Sequence, residues 1–153
     1  MIAIRHRVTG RTLHQVDAET LREAKLAGAD LRGARLSSKD LFRADLSATQ
    51  LQGASLRDAE LRQANLQNAN LERADLTGAN LYAANLQGAR LGRAVLEETH
   101  LNHADLRGAD LASASLRRVY LHGAVYDGQT RWPRDFKPEE NGCVRQSPPL
   151  EGD

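Results

Sequence analysis

Hydrophobic residues recur every five positions over most of this chain. Leucine occupies position 21 and every fifth position up to 121, which makes 21 occurrences without exception. On an α-helix a five-residue step advances about 140°, which would spread the leucines around the axis, and on a straight strand an odd step alternates faces. The pattern therefore predicts a chain that turns by a constant angle every five residues and buries all the leucines along one axis.

A second apolar position accompanies the leucines. Three residues after each leucine, alanine fills 17 of the 21 positions between 24 and 124. A narrow coil has room for little more than a methyl group there, so we expect these alanines to point inward with the leucines. Lys39, Thr49, Thr99 and Val119 replace alanine. A free charge is costly to bury, so Lys39 predicts a local bulge, a side chain that reaches solvent, or an outward excursion of the chain near residues 37–40.

The corners of the coil are predicted from glycine, which tolerates tight backbone turns best. Glycine stands two residues after leucine at seven of the 21 repeats. The number of corners in one coil stays open. A 20-residue coil stacks six opposite-charge and two like-charge pairs, whereas a 15-residue coil stacks six and three. The opposite-charge pairs of the 20-residue coil are Glu23/Arg43, Lys25/Asp45, Arg90/Asp110, Glu97/Arg117, Glu98/Arg118 and Arg107/Asp127, and the like-charge pairs are Asp40/Glu60 and Arg73/Arg93.

Individual repeats resemble a known family. Ala-Asp-Leu-Arg-Gly at 29–33 and 104–108, Ala-Asn-Leu-Gln-Asn at 64–68 and Ala-Asp-Leu-Thr-Gly at 74–78 are similar to the A(D/N)LXX unit of pentapeptide-repeat proteins. This resemblance implies an all-β, right-handed quadrilateral β-helix of about five coils with four repeats in each. One side of its core would then hold Leu21, Leu41, Leu61, Leu81, Leu101 and Leu121.

The solenoid needs covered ends. The predicted domains are 1–18, an N-terminal β-hairpin cap; 19–125, the β-helix; and 126–153, a C-terminal cap and tail. Trp132 and Phe136 can lie over the open last coil as an aromatic cap. The composition of residues 145–153 predicts disorder if that segment is unpaired.

Composition narrows the classes of partner and compartment. Between residues 21 and 125 the chain has 14 Lys/Arg and 12 Asp/Glu, and the whole chain carries +1, so direct nucleic-acid binding has no basic stripe to support it. The sequence has no stretch of about 18 apolar residues, so no membrane span is predicted. The charged N-terminus does not resemble a signal peptide. Cys143 is the single cysteine, and we expect a cytoplasmic protein.

One outward column is the candidate partner-binding surface. The 20-residue register aligns Arg and aromatic side chains, which predicts cation–π contacts and exposed anchors for a partner. The column contains Arg22, Phe42, Arg62, Tyr82, Asn102 and His122.

The candidates for catalytic and metal chemistry have simpler interpretations. Glu97 and Glu98 face arginines in the next coil and are interpreted as a charge ladder. The spacing of His100, His103 and His122 matches no metal-ligand motif, so we interpret them as solvated histidines. Cys143 has no adjacent histidine to activate it. No cofactor and no catalytic residue are predicted.

The predicted function is that of a rigid, non-enzymatic scaffold that binds another protein. If copies of the chain form a homo-oligomer, we expect them to associate through the ends of the solenoid. The alternative is a DNA mimic that modulates a type II topoisomerase, as the resemblance to the fluoroquinolone-resistance branch of the family suggests. This alternative requires an acidic rod, and the counted charges are balanced.

Overall fold

The computed structural model describes residues 1–147, and its backbone follows the five-residue period through the repeats. In each repeat the N–H of the inner residue donates to the leucine carbonyl three residues earlier, as from Ala64 to Leu61 at 3.0 Å. The residue two after leucine has positive φ in 20 of the 21 repeats, comprising 13 non-glycine residues and seven glycines. Positive φ at the third residue is the requirement of a type II turn, so each repeat ends in a corner.

Each repeat is stacked on the fourth repeat after it. Lys25 pairs with Asp45, Asp45 with Asn65, and Asn65 with Asn85, all in parallel. Each contact uses main-chain hydrogen bonds in both directions, such as Leu66 N–H to the Asn85 carbonyl at 2.7 Å and Asn85 N–H to the Ala64 carbonyl at 2.9 Å. Four corners therefore close one coil, and the three-sided alternative is excluded.

The leucines and inner alanines form one continuous core. Every leucine from Leu26 to Leu111 is at most 1% exposed, and Leu21 and Leu121 are 3% and 2% exposed. Leu116, in the last coil, is only partly buried. Each fully buried leucine contributes about 1.5–3 kcal/mol relative to an exposed one. Two inner threonines are also buried, and their hydroxyls donate to main-chain carbonyls: Thr49 to Leu46 at 2.6 Å and Thr99 to Leu76 at 2.8 Å.

Lys39 does not distort the coil. Its carbonyl accepts the regular hydrogen bond from Glu60 N–H at 2.9 Å, and Asp40 pairs with Glu60 in register. The bulge and the outward excursion predicted near residues 37–40 are therefore wrong. The alternative of a side chain that reaches solvent is correct, since Lys39 is exposed. The reason is its place in the first coil, on which no earlier repeat is stacked.

The N-terminal segment is a hairpin of β1 (Ile2–Arg5) and β2 (Thr12–Val16), paired antiparallel with an irregularity between Ile4 and Arg5. It continues the wall of the first coil, because Arg35 N–H donates to the Arg5 carbonyl at 2.8 Å. Ile4 is 2% exposed and joins the core. The hairpin thus both extends a side of the coil and contributes an apolar side chain to its end.

The C-terminal segment departs from the repeat and then rejoins it. The regular offset persists up to the pair Asp105–Val125, and the next pair, Asp110–Arg131, includes one extra residue. β3 (Val125–Tyr126) pairs in parallel with β4 (Val144–Arg145), after a 3₁₀ helix at Glu139–Asn141. No helix among the described residues is long or apolar enough to span a membrane.

Aromatic rings gather at this end. Trp132 is stacked on Phe136 with ring centroids 5.1 Å apart, and Tyr126 meets Trp132 edge-on at 5.7 Å. Both Trp132 and Phe136 pack against the core. Within the segment predicted to be disordered if unpaired, Arg145 pairs with Tyr126, and Gln146 N–H donates to the Tyr126 carbonyl at 2.8 Å; residues 148–153 lie outside the described residues.

Candidate partner-binding face

The predicted column lies on one side of the coil with its members in register. The corner residue after each member donates its N–H to the carbonyl of the member one coil further: Arg43 to Arg62 at 3.0 Å, Gln63 to Tyr82 at 2.9 Å, and His103 to His122 at 3.0 Å. We call this side the aromatic face. It comprises the outward residues directly before and directly after every fourth leucine of the series, starting at Leu21 and ending at Leu121.

The first half of the aromatic face is an arginine–phenylalanine cluster. The Arg22 guanidinium carbon lies 4.6 Å from the Phe42 ring centroid, and that of Arg62 lies 5.6 Å from it. Each arginine is oriented by a carboxylate: Arg22 donates to Asp40 at 2.8 Å and Arg62 to Glu60 at 2.8 Å. The hydrogen bond from Arg22 holds the pKa of Asp40 below its usual value. Phe42 therefore lies between two arginines whose orientation is fixed by carboxylates, in reach of cation–π contact with both.

The second half is built from tyrosine and histidine rings. Tyr82 does not continue the arginine ladder; its ring meets His103 edge-on with centroids 5.4 Å apart, and His103 meets His122 at 6.0 Å. Asn102 holds the end of the column, because its side-chain oxygen accepts the His122 N–H at 3.1 Å. The predicted column therefore consists of two contact clusters rather than one continuous ladder.

One aromatic contact on this face was not predicted. His100 and Tyr120 stack with centroids 4.5 Å apart and ring planes 12° from parallel. Both stand one residue before a leucine, so they form a column beside the predicted one. The signal in the sequence was a pair of aromatic rings at the same repeat position in consecutive coils. Tyr82 and Tyr120 are 44% and 48% exposed, which gives this end of the face the larger accessible aromatic area.

The stacked charges follow the predicted register only in part. Arg43–Glu23, Arg117–Glu97 and Arg118–Glu98 form ion pairs at 3.8, 3.7 and 3.2 Å. Arg90 is stacked on Asp110 as predicted, but its ion pair is with Glu72. Arg107 likewise forms its ion pair with Asp105 and not with Asp127. Residues before and after a leucine share one outward surface, so a long arginine also reaches carboxylates across that leucine, in its own coil or in the adjacent one.

The residues considered for chemistry have structural environments. Glu97 and Glu98 are paired with arginines, as described above. Cys143 is buried beside Leu121, and burial raises the pKa of its thiol to about 11, which keeps it protonated at neutral pH. Within residues 1–147 no three His, Cys, Asp or Glu side chains converge as a metal-binding group.

Comparison with known proteins matches most of the repeat region. A family model described as pentapeptide repeats matches with eight copies, over residues 20–58, 40–78, 54–93 and 89–125. No curated protein matches the sequence.

Three solved structures illustrate the similarity. A pentapeptide repeat protein, Rfr23, from the cyanobacterium Cyanothece 51142 is 32% identical, with a TM-score of 0.62 over 71% of this chain and 90% of that one. The pentapeptide repeat protein alr5209 from Nostoc Pcc 7120 is 33% identical, with a TM-score of 0.42 over 70% and 84% of the two chains. One from the Arabidopsis thaliana thylakoid lumen is 30% identical, with a TM-score of 0.49 over 71% and 68%.

Proposed function

Because this chain belongs to the pentapeptide-repeat family, we propose that it is a non-enzymatic scaffold that binds another protein through the aromatic face. The scaffold is a right-handed coil of about five turns, spanning residues 19–125. The hairpin in residues 1–18 covers one end, and the described part of the C-terminal segment, residues 126–147 with Trp132 and Phe136, covers the other. The single buried thiol suits a reducing compartment such as the cytoplasm.

Rigidity is the property that favours binding by a flat surface. Consecutive coils are linked by main-chain hydrogen bonds on every side, so the backbone positions from which the outward side chains project are fixed before a partner arrives. A surface that is already ordered loses less conformational entropy on association. A regular face of this kind therefore suits a protein partner of complementary shape better than a small substrate, which needs an enclosing pocket.

The observation that carries the proposal is the exposed aromatic area on the aromatic face. Tyr82 and Tyr120 are nearly half exposed, and Phe42 lies between two arginines. Aromatic and arginine side chains dominate the energetics of protein interfaces when they become desolvated at the centre. The ion pairs of Arg22 and Arg62 hold their guanidinium groups over the Phe42 ring, so these side chains are already in one arrangement.

The test compares capture of partners by two double variants of the tagged chain. Phe42→Ala/Tyr82→Ala removes two rings from the aromatic face, and the control Gln67→Ala/Gln87→Ala truncates the equivalent positions of the next side. A protein captured by wild type should be recovered, purified and titrated against all three. We expect about a tenfold or greater loss of affinity in the aromatic variant and almost none in the control. Equal affinity for all three would refute the use of this face.

The DNA-mimic alternative is not favoured, because the outward charges of residues 21–125 are balanced and do not create an acidic rod. Direct nucleic-acid binding lacks a basic stripe for the same reason. If copies of the chain associate, the ends of the solenoid are the surfaces that we propose for the contact, which leaves the aromatic face free.

A further inference from the structure

A notch interrupts the side of the coil opposite the aromatic face. Two repeats, or half a coil, separate Tyr82 from Gly92. On that opposite side, the residue directly after leucine has a long side chain in each of the first three coils. In the next two coils it is Gly92 and then Ala112. The missing side chains leave a depression of about 300 Å³, lined by Gln52, Glu72, Arg73, Gly92, Arg93 and Ser113.

Gly92 is not required by the backbone or by the packing. It is absent from the positive-φ residues, so its conformation suits other amino acids. A Cβ placed there would lie 3.5 Å from Glu72 Cγ and 3.6 Å from Ser113 Oγ, which are ordinary contact distances. The fold would therefore tolerate a side chain at this position, and the empty space has no structural explanation in the coil itself.

Two arginines beside the notch carry uncompensated charge. Arg73 and Arg93 stand at corners of consecutive coils, joined by the hydrogen bond from Arg73 N–H to the Gly92 carbonyl at 2.8 Å. Within residues 1–147 neither side chain forms an ion pair, and both are exposed. Equivalent corners elsewhere stack opposite charges, as in Glu98 with Arg118 at 3.2 Å. An anion at the notch would therefore meet two guanidinium groups that have no competing carboxylate partner among the described residues.

The other polar groups around the notch indicate which anion fits. Ser113 Oγ accepts the Arg93 N–H at 3.0 Å, so its hydroxyl proton is free for a ligand. Glu72 is neutralised by Arg90 at 2.7 Å. Phosphate sites in proteins commonly use converging main-chain N–H groups, but those of Arg73 and Arg93 are already bonded within the coil. The donors left for a ligand are those of side chains, and planar guanidinium groups can bind a carboxylate through two parallel hydrogen bonds.

We propose that this notch binds the carboxylate of an aspartate or glutamate in an acidic segment of a partner protein, with Arg73 and Arg93 as its ion-pair partners and Ser113 as a hydroxyl donor. Gln52 Oε1 has no donor among the described residues. A main-chain N–H of the bound segment would satisfy it after a rotation of the amide that releases Gln52 Nε2 from Gln50 Oε1. This second binding site lies half a coil away from the aromatic face and does not depend on it.

The first test measures binding of fluorescein-labelled hexaglutamate by fluorescence polarisation at low ionic strength. Arg73→Gln/Arg93→Gln should weaken binding about tenfold or more, because both ion pairs are lost. The control Arg43→Gln/Arg118→Gln removes the same charge from corners that already have glutamate partners, and binding should change less than about twofold. Equal losses in the two double variants, or no saturable binding by wild type, would overturn the proposal.

The second test fills the notch without changing charge. Gly92→Gln should weaken hexaglutamate binding about fivefold or more, because the glutamine side chain occupies the space that the bound carboxylate needs. The far-UV circular dichroism should stay that of wild type. Ala27→Gln, at the same repeat position on another side, is the control and should bind normally. Unchanged binding by a folded Gly92→Gln protein would contradict the proposal, as would inorganic phosphate displacing the probe better than the dicarboxylate malonate at equal ionic strength.

Discussion

Truncation of Leu61 to alanine tests how tightly the coil holds its core. Leu61 is 0% exposed, and its main-chain N–H donates to the Asn80 carbonyl at 2.7 Å in the next coil. Loss of three carbon atoms removes roughly 2.4 kcal/mol of transfer free energy at about 0.8 kcal/mol for each carbon. The hydrogen bonds to adjacent coils resist collapse around the cavity, which adds a further cost. We expect the free energy of unfolding to fall by about 3–4 kcal/mol.

The assay is urea unfolding followed by far-UV circular dichroism, with the slope against denaturant compared between variants to check that the transition stays cooperative. Leu116→Ala is the matched control, since Leu116 occupies the same repeat position but is only partly buried in the last coil. Its loss should be less than half as large. A cost below about 1 kcal/mol for Leu61→Ala, or equal costs at both sites, would refute the reasoning that the leucines share one sealed axis.

Two further predictions concern the ends of the coil. Burial raises the pKa of the Cys143 thiol to about 11 from an ordinary 9.0, so the folded state favours the protonated thiol. The resulting contribution to the free energy of unfolding is up to about 2 kcal/mol. It is complete below about pH 9 and is lost as the pH rises towards about 11. Unfolding of wild type and Cys143→Ala at about pH 8 and about pH 10.5 should show a smaller alkaline loss in the variant, and equal losses would contradict a buried thiol. Lys39→Ala should change the free energy of unfolding by less than about 0.5 kcal/mol, because the Lys39 side chain is exposed. A loss above about 1 kcal/mol in the same urea assay would contradict this and show that the aliphatic part of the side chain packs in the core.

The five-residue period predicted which side chains lie inside, because an inward position tolerates almost nothing but leucine or a small residue. It did not determine the number of corners. The charges were a poor guide to the number of corners, because an arginine side chain is long enough to reach any of several carboxylates. Arg90 reaches back to Glu72 at 2.7 Å, although Asp110 lies directly opposite in the ladder.

The segment after Leu121 was less predictable, because no repeat fixes its register. One extra residue enters between Val125 and Arg131, and the chain then returns to place the Cys143 thiol in the core beside the Leu121 carbonyl. A single cysteine in a segment rich in polar residues carries no periodic signal of this role. The notch at Gly92 did have a signal, namely a glycine directly after leucine instead of at the corner.

The aromatic face and the notch both depend on the stacking of each repeat on the fourth repeat after it, because only then are their residues neighbours. Cysteine pairs test it directly in a Cys143→Ala background. Asn65 and Asn85 pair across adjacent coils, where strands lie about 4.8 Å apart, within the range that a disulfide spans. Mild oxidation should therefore cross-link Asn65→Cys/Asn85→Cys within the monomer and leave Asn65→Cys/Asn80→Cys reduced. A cross-link between positions 65 and 80 and none between 65 and 85 would contradict the four-sided coil.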